Sequence, residues 1–188
     1  MTTEQRKELL VQKFKEVDDY FLDQGYSLDF SCTDWLESIG YFEAPAAKSH
    51  HGNYPGGLFD HSLEVANQLQ EITEKMGLTW QRKGSPILIG MLHDICKTDD
   101  YIVEGEENGR VEYAYNNYGI LPGHGDKSVI MLAGHFQLTE EEAMCIRFHM
   151  GAFTDKEEWK YYSKAVHDYP NVLWTHTADM LASQVVGI

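Results

Sequence analysis

Six side chains in this 188-residue sequence are of the types that hold divalent metal ions: His61, the adjacent His93 and Asp94, His124, His149 and Asp179. Apart from the adjacent pair, they are spaced 25 to 32 residues apart. Each therefore comes from a different helix or helix end, and a helical bundle builds metal sites from inward side chains on facing helices. Histidine is plentiful, nine in all, but only these four fall where apolar helix faces are expected. Asp94 follows Ile87-Leu88-Ile89-Gly90-Met91-Leu92-His93 and precedes Ile95-Cys96. An ionised carboxylate in such surroundings costs several kcal/mol unless it is paired or coordinates a metal. His93 points about 100° away around the helix, so both residues reach one ion only if it lies near the face between them. Asp179 sits in similar company, among Ala178, Met180, Leu181 and Ala182. A buried ion pair or hydrogen bond competes as an explanation for either aspartate alone. For the six together it fails, because Lys and Arg are scarce nearby.

The elements that must position these residues read as helices. The first is expected over roughly residues 3–24, ending at Gly25, with a buried stripe of Leu9, Leu10, Phe14, Val17 and Phe21. A short helix follows Thr33 through Trp35, Leu36 and Ile39 and stops at Gly40. Residues 41–57, rich in aromatics, Pro and Gly, form a long structured loop of the kind that often carries function. A helix starts near Gly57, with Leu58, Ser62, Val65, Leu69, Ile72 and Met76 as its inner face and His61 beside it. Ser85 as N-cap and Pro86 at the first helical position open a helix that is apolar almost all round, the central one. Residues 101–115 alternate around Asn108-Gly109 and predict a small β-hairpin acting as a lid. Helices return from Asp126. Thr139 and Glu142 form a capping box for a helix ending at His149 and Gly151. A helix is expected over 155–167, and a last one from Pro170 nearly to the end.

The expected fold is therefore an all-α helical bundle with a small β-hairpin insertion near residues 101–115. The length of 188 residues suits one domain, read as an N-terminal helical extension over 1–47 and a core over 48–183. With 43% apolar and 24% charged residues, a disordered chain, a collagen-like chain and a coiled coil are excluded. Asp plus Glu number 30 against 15 Lys plus Arg, a net charge of -15. Such a chain repels polyphosphate at long range, which argues against duplex nucleic acid as a partner, although bound metal can reverse the charge locally. The apolar run Pro86–Leu92 is too short for a bilayer, residues 1–20 lack the apolar stretch of a secretion signal, and three widely spaced cysteines form no C-x-x-C. These features point to the cytoplasm and away from the membrane.

The ordered pattern H…HD…D resembles the HD superfamily of metal-dependent phosphohydrolases. The resemblance rests on His61 behind Gly56-Gly57, His93-Asp94 in Gly-Met-Leu-His-Asp-Ile-Cys-Lys, and Asp179 in His-Thr-Ala-Asp. It covers about residues 48–183. The segment from His50 to Leu63 is similar to the start of HD domains in bacterial 3′–5′ exoribonucleases. The resemblance implies that His61, His93, Asp94 and Asp179 bind one metal ion. It further implies that His124 and His149 hold a second, with Asp94 bridging the two and positioning the attacking water. Imidazole-rich ligation favours Fe, Mn, Zn, Co or Ni over Mg or Ca alone. Two ions would share a hydroxide and clamp both oxygens of an in-line displacement at phosphorus. Lys97 and Lys127 are assigned to non-bridging phosphate oxygens and His51 to the pocket wall. Ion pairing competes for the lysines, and a plain loop position for His51. His176, one turn before Asp179, reads equally as a residue orienting a ligand or as a core or surface histidine. Cys96 reads as a packing thiol, and Tyr101, Tyr113, Tyr115 and Tyr118 as pocket cover or packing.

The chain departs from some branches of that superfamily. It has no His-His-Glu or Gly-Tyr-Pro signature of the cyclic-di-GMP phosphodiesterases, Met150 follows His149 where a paired histidine would stand, and no nucleic-acid-binding barrel accompanies it. The expected activity is hydrolysis of a phosphate monoester or diester in a small substrate, a nucleotide. Two alternatives stand beside it: a mixed-valent di-iron oxygenase of the same fold, which would use the same six ligands, and a non-catalytic metal- or nucleotide-binding sensor. Self-association into a homo-oligomer is compatible with all of these.

Overall fold

The computed structural model describes the backbone of residues 1–22, 30–121 and 123–188, and the side chains of 1–16, 32–121 and 123–188. The side chains of Val17 and Phe21 and the expected stop at Gly25 lie outside the described residues. The helices are α1 (Thr3–Leu22), α2 (Phe30–Ser38), α3 (Gly57–Met76), α4 (Ser85–Leu92), α5 (Lys97–Asp100), α6 (Gly125–Ala133), α7 (Glu140–Phe148), α8 (Trp159–Asp168) and α9 (Asn171–Met180). A π-helical segment, Leu181–Val186, continues α9. Two strands, β1 (Tyr101–Glu107) and β2 (Arg110–Tyr115), pair antiparallel between α5 and α6. The architecture is thus an all-α bundle with one small hairpin, as the sequence leads one to expect.

The bundle is built around α4. All eight of its residues are buried, which its uniformly apolar sequence requires. Its most extensive helix partner is α3. The two backbones come so close at Gly90 that a Cβ there would lie 2.3 Å from Ala66 Cα and 2.5 Å from Ala66 N. The long α3 presents Leu58, Phe59, Val65, Ala66 and Leu69 to the core. The expected inner face ends earlier than Met76, which is 57% exposed. The reason is length: α3 has 20 residues and α4 only 8, so the last turn of α3 runs past its partner. Arg6 of α1 donates to both oxygens of Asp60 on α3, each at 3.0 Å, and fastens the N-terminal helix beside the start of α3.

A buried polar network joins the other side of α4 to α7. The capping box of Thr139 and Glu142 forms as expected. Glu142, fully buried, also accepts from Arg82 at Nε (3.1 Å) and Nη2 and from Ser85 Oγ at 2.7 Å. This corrects the reading of Ser85 as an N-cap. Gly84 holds that position, because the Ser85 hydroxyl is committed to a carboxylate on another helix. Glu141 accepts from Asn171 Nδ2 at 2.8 Å, which brings in α9.

Two further boundaries differ from expectation. The α2 helix begins at Phe30, so Thr33 lies inside it. The helix expected over 155–167 begins at Trp159 after two short 3-10 turns, Gly151–Phe153 and Lys156–Glu158. Trp159 Nε1 donates to the Thr154 carbonyl at 3.0 Å, and Thr154 takes an extended conformation, so the segment before it cannot join the helix. The hairpin turns at Asn108-Gly109 with φ of 51° and 76°, the left-handed pair a tight type I′ turn needs.

The Gly90 contact generates a direct test. Gly90→Ala forces a methyl into the Ala66 backbone and should lower unfolding stability by about 1–3 kcal/mol or more, read as a shifted midpoint in chemical denaturation. An unchanged midpoint would show that α3 and α4 are not packed as closely as described.

Candidate metal centre

Helix ends converge on one point. His93 caps the C-terminus of α4, His124 stands at the N-cap of α6, and His149 caps the C-terminus of α7. His61 comes from the second turn of α3 and Asp179 from the last turn of α9. All six residues expected to bind metal are brought together. Ring centroids lie 5.4 Å apart for His61 and His93, 4.8 Å for His93 and His149, and 5.2 Å for His124 and His149.

Asp94 is at the centre. Its Oδ2 lies 3.7 Å from His61 Nε2, 3.4 Å from His93 Nε2 and 2.6 Å from Lys97 Nζ. Its Oδ1 lies 2.6 Å from His124 Nε2 and 3.2 Å from His149 Nε2. The two oxygens therefore face different imidazoles. Asp179 Oδ1 lies 3.2 Å from His61 Nε2. Burial pushes the Asp94 carboxyl up, but Lys97, His93 and His124 together outweigh it and hold it well below the usual carboxylate range. Burial likewise opposes the ionised form of Asp179, and the neighbouring imidazoles His61, His93 and His149 outweigh it, so this carboxyl is also lowered. Burial lowers His149, whereas His93 is raised against burial by Asp94.

Three of the rings are fixed by backbone. His61 Nδ1 donates to the Ile188 carbonyl at 2.9 Å, His93 Nδ1 to Gly90 at 2.9 Å and His149 Nδ1 to Ile146 at 2.6 Å. Each such bond leaves Nε2 as the free ligand atom. Nε2 of all three is buried without a hydrogen-bond partner, and so is Asp94 Oδ1, whose approach to His124 lacks hydrogen-bond geometry. Four unsatisfied atoms in one buried spot would be costly in a purely structural cluster. They are nitrogen and oxygen donors within 4.8 Å of one another in overlapping triads, such as His61, His93, Asp94 and Asp94, His124, His149. Donors of these types fit divalent transition metals.

His124 is held differently. Its Nδ1 lies 3.1 Å from Cys96 Sγ and 3.8 Å from Asp100 Oδ2, and it is the most exposed of the four rings at 27% of its side chain. Cys96 is buried and in contact with a site residue. Asp100 was not singled out from the sequence; its only signal was an acidic pair, Asp99-Asp100, directly before the hairpin. Lys127 Nζ lies 2.9 Å from Asp99 and 2.7 Å from Asp100.

A cavity of about 490 Å³ opens onto the centre, lined by His51, Asp94, Lys97, His124 and Asp179 at its polar end. Lys127 does not line it. His176 does, and donates from Nδ1 to the His149 carbonyl at 2.8 Å. Of the hairpin, Tyr101 alone reaches this cavity. Tyr113 is buried elsewhere, while Tyr115 and Tyr118 are 61% and 87% exposed. Tyr101 is thus the hairpin's contribution to the cavity wall, while other hairpin residues share clefts with Lys48, Tyr54 and Pro55. Arg147 pairs with Asp126 at 2.7 Å and Glu158 at 2.9 Å, and His135 stacks on Trp35.

The HD-domain family model matches residues 58–179. The chain belongs to the HD-domain family, whose members are generally metal-dependent hydrolases. That match supports the family and does not extend to the exoribonuclease branch. No curated protein and no solved structure matches the chain significantly. Among the described residues, no helix is long and apolar enough to cross a membrane.

If these residues form the metal cage, an ion that binds only the folded chain at 100 times its Kd stabilises it by about 2.7 kcal/mol. Manganese should then raise the thermal midpoint by roughly 5–10 °C, and a chelator should reverse the rise. Asp94→Ala should abolish the shift. An equal shift in the variant would place the ions elsewhere.

Proposed function

We propose that the protein hydrolyses a phosphate ester in a small substrate, a nucleotide, at the Asp94-centred cluster. The observation that carries this reading is the division of the Asp94 carboxylate between two sets of free imidazole nitrogens, His61 and His93 on one oxygen, His124 and His149 on the other. Together with Asp179, these residues would hold one or two divalent ions. When bound, such ions supply Lewis acidity at phosphorus and a water whose pKa is lowered toward neutrality.

The remaining residues bind and orient. Asp94 stays ionised because Lys97 and the imidazoles outweigh its burial. Lys97 lines the cavity with its ammonium on Asp94 Oδ2, so it is within reach of both the carboxylate and a non-bridging phosphate oxygen. His51 lines the same wall, and burial, with His61 next, lowers its pKa, which favours a neutral ring that can donate one hydrogen bond to the ester. Lys127 acts at one remove: it anchors Asp100, which flanks His124 Nδ1. A cavity of about 490 Å³ suits one small ligand, and a net charge of -15 disfavours long polyanions. Three widely spaced cysteines with no C-x-x-C fit a reducing compartment, the cytoplasm.

The test is phosphate release from nucleoside monophosphates, and p-nitrophenol release from bis-p-nitrophenyl phosphate, by metal-loaded protein. The expected result is turnover that falls about 10³-fold in Asp94→Ala. Full activity in that variant would falsify the assignment of the site. Oxygen uptake by the iron-loaded protein with no ester cleavage would replace the reading with the di-iron oxygenase. Ligand binding with neither activity would leave the sensor.

A further inference from the structure

Part of the cavity lining does not belong to the metal cluster. Met150, Phe153, Met180, Ser183 and Gln184 belong to that part, and none of them carries a charge. Phe153 is 69% exposed, yet its backbone is built into place. Gly151 has φ +57°, and a Cβ there would lie 2.6 Å from the His176 ring. The turn therefore sits flush on a ring that is itself bonded to the His149 carbonyl at 2.8 Å. Phe153 N donates to the Met150 carbonyl at 3.0 Å and Thr154 N to Gly151 at 3.2 Å. The aromatic side chain thus stands four residues from a metal-site histidine, on a turn keyed to it, with its ring open to solvent. On the other wall α9 passes into the π-helical segment Leu181–Val186, a geometry frequent at functional sites. That segment supplies Ser183 and the exposed amide of Gln184.

A solvent-facing aromatic ring, two thioethers and an amide make a surface for a flat heteroaromatic group. Aromatic side chains stack on the π-face of any nucleobase, methionine sulfur packs well on aromatic rings, and a glutamine amide matches the donor and acceptor edge of a base. None of these five side chains carries a positive charge to hold a phosphate. We propose that the Phe153 rim holds the base of a nucleotide whose phosphate lies at Lys97, which makes Phe153 a specificity-determining residue. This rests on reading the site as that of a phosphohydrolase.

The test separates the two claims. The probes are the methylenephosphonate analogues of adenosine 5′-monophosphate and of ribose 5-phosphate, in which CH2 replaces the ester oxygen; they carry the same charge, differ in the base and resist hydrolysis. Calorimetry on the metal-loaded full chain should show the adenosine analogue binding roughly 5- to 150-fold tighter. Phe153→Ala should bring that ratio to within about twofold, and Phe153→Trp should restore it. Phe153→Leu, which keeps an apolar side chain on the turn, should behave as the alanine variant does and guards against a folding defect in it. Equal affinity for the two analogues in the wild type would overturn the proposal, and so would a Phe153→Ala variant that weakens both alike. Phosphate release from the parent esters is measured separately. Its absence would sink the phosphohydrolase reading, while the affinity ratio still decides the rim.

Discussion

The structure turns on keeping one carboxylate ionised where water barely reaches. Asp94 is 2% exposed at the end of the most apolar helix of the chain. Burial alone would neutralise it. Lys97 and His93 from its own segment and His124 from α6 hold it charged. The convergence of helix ends follows from that need. A helix terminus can deliver a polar side chain to the bundle interior while its apolar body stays packed.

The packing of α4 and the chemistry of its end are therefore one arrangement. Gly90 permits the close approach to α3, and its carbonyl also accepts from His93 Nδ1. The same residue sets how near α3 brings His61 and how the His93 ring is turned. On the other face, the Arg82–Glu142 network locks the start of α4 to α7, whose far end carries His149. The six site residues are held by elements whose mutual positions are fixed by buried contacts outside the site.

Much of this was legible in the sequence because its signals are chemical. A carboxylate in an apolar helix, histidines at helix-scale intervals, an Asn-Gly turn and a Thr-x-x-Glu box each have few physical solutions. The six expected metal ligands meet in one cluster. What escaped the sequence depends on contacts between distant segments. Ser85 looked like a cap because its partner, Glu142, is 57 residues away. Met76 looked buried because periodicity says nothing about where a partner helix stops. Lys127 looked like a phosphate ligand until Asp99 and Asp100 were seen around it. Phe153 and Gln184 carry no motif; only the cavity reveals them. Alternation finds the hairpin but says nothing of which residues meet the cavity, and Tyr101 is the hairpin residue that does.

The bond between His61 Nδ1 and the Ile188 carbonyl spans 127 residues. Closing so large a loop carries an entropic cost that must be met before the contact can form. His61 therefore acquires its final ring orientation only when the segment after α9 has folded back against α3. A chain in which that segment is undocked presents a loosely held imidazole at one corner of the site, so the docking of residues 181–188 against α3 and the geometry of the cluster are linked.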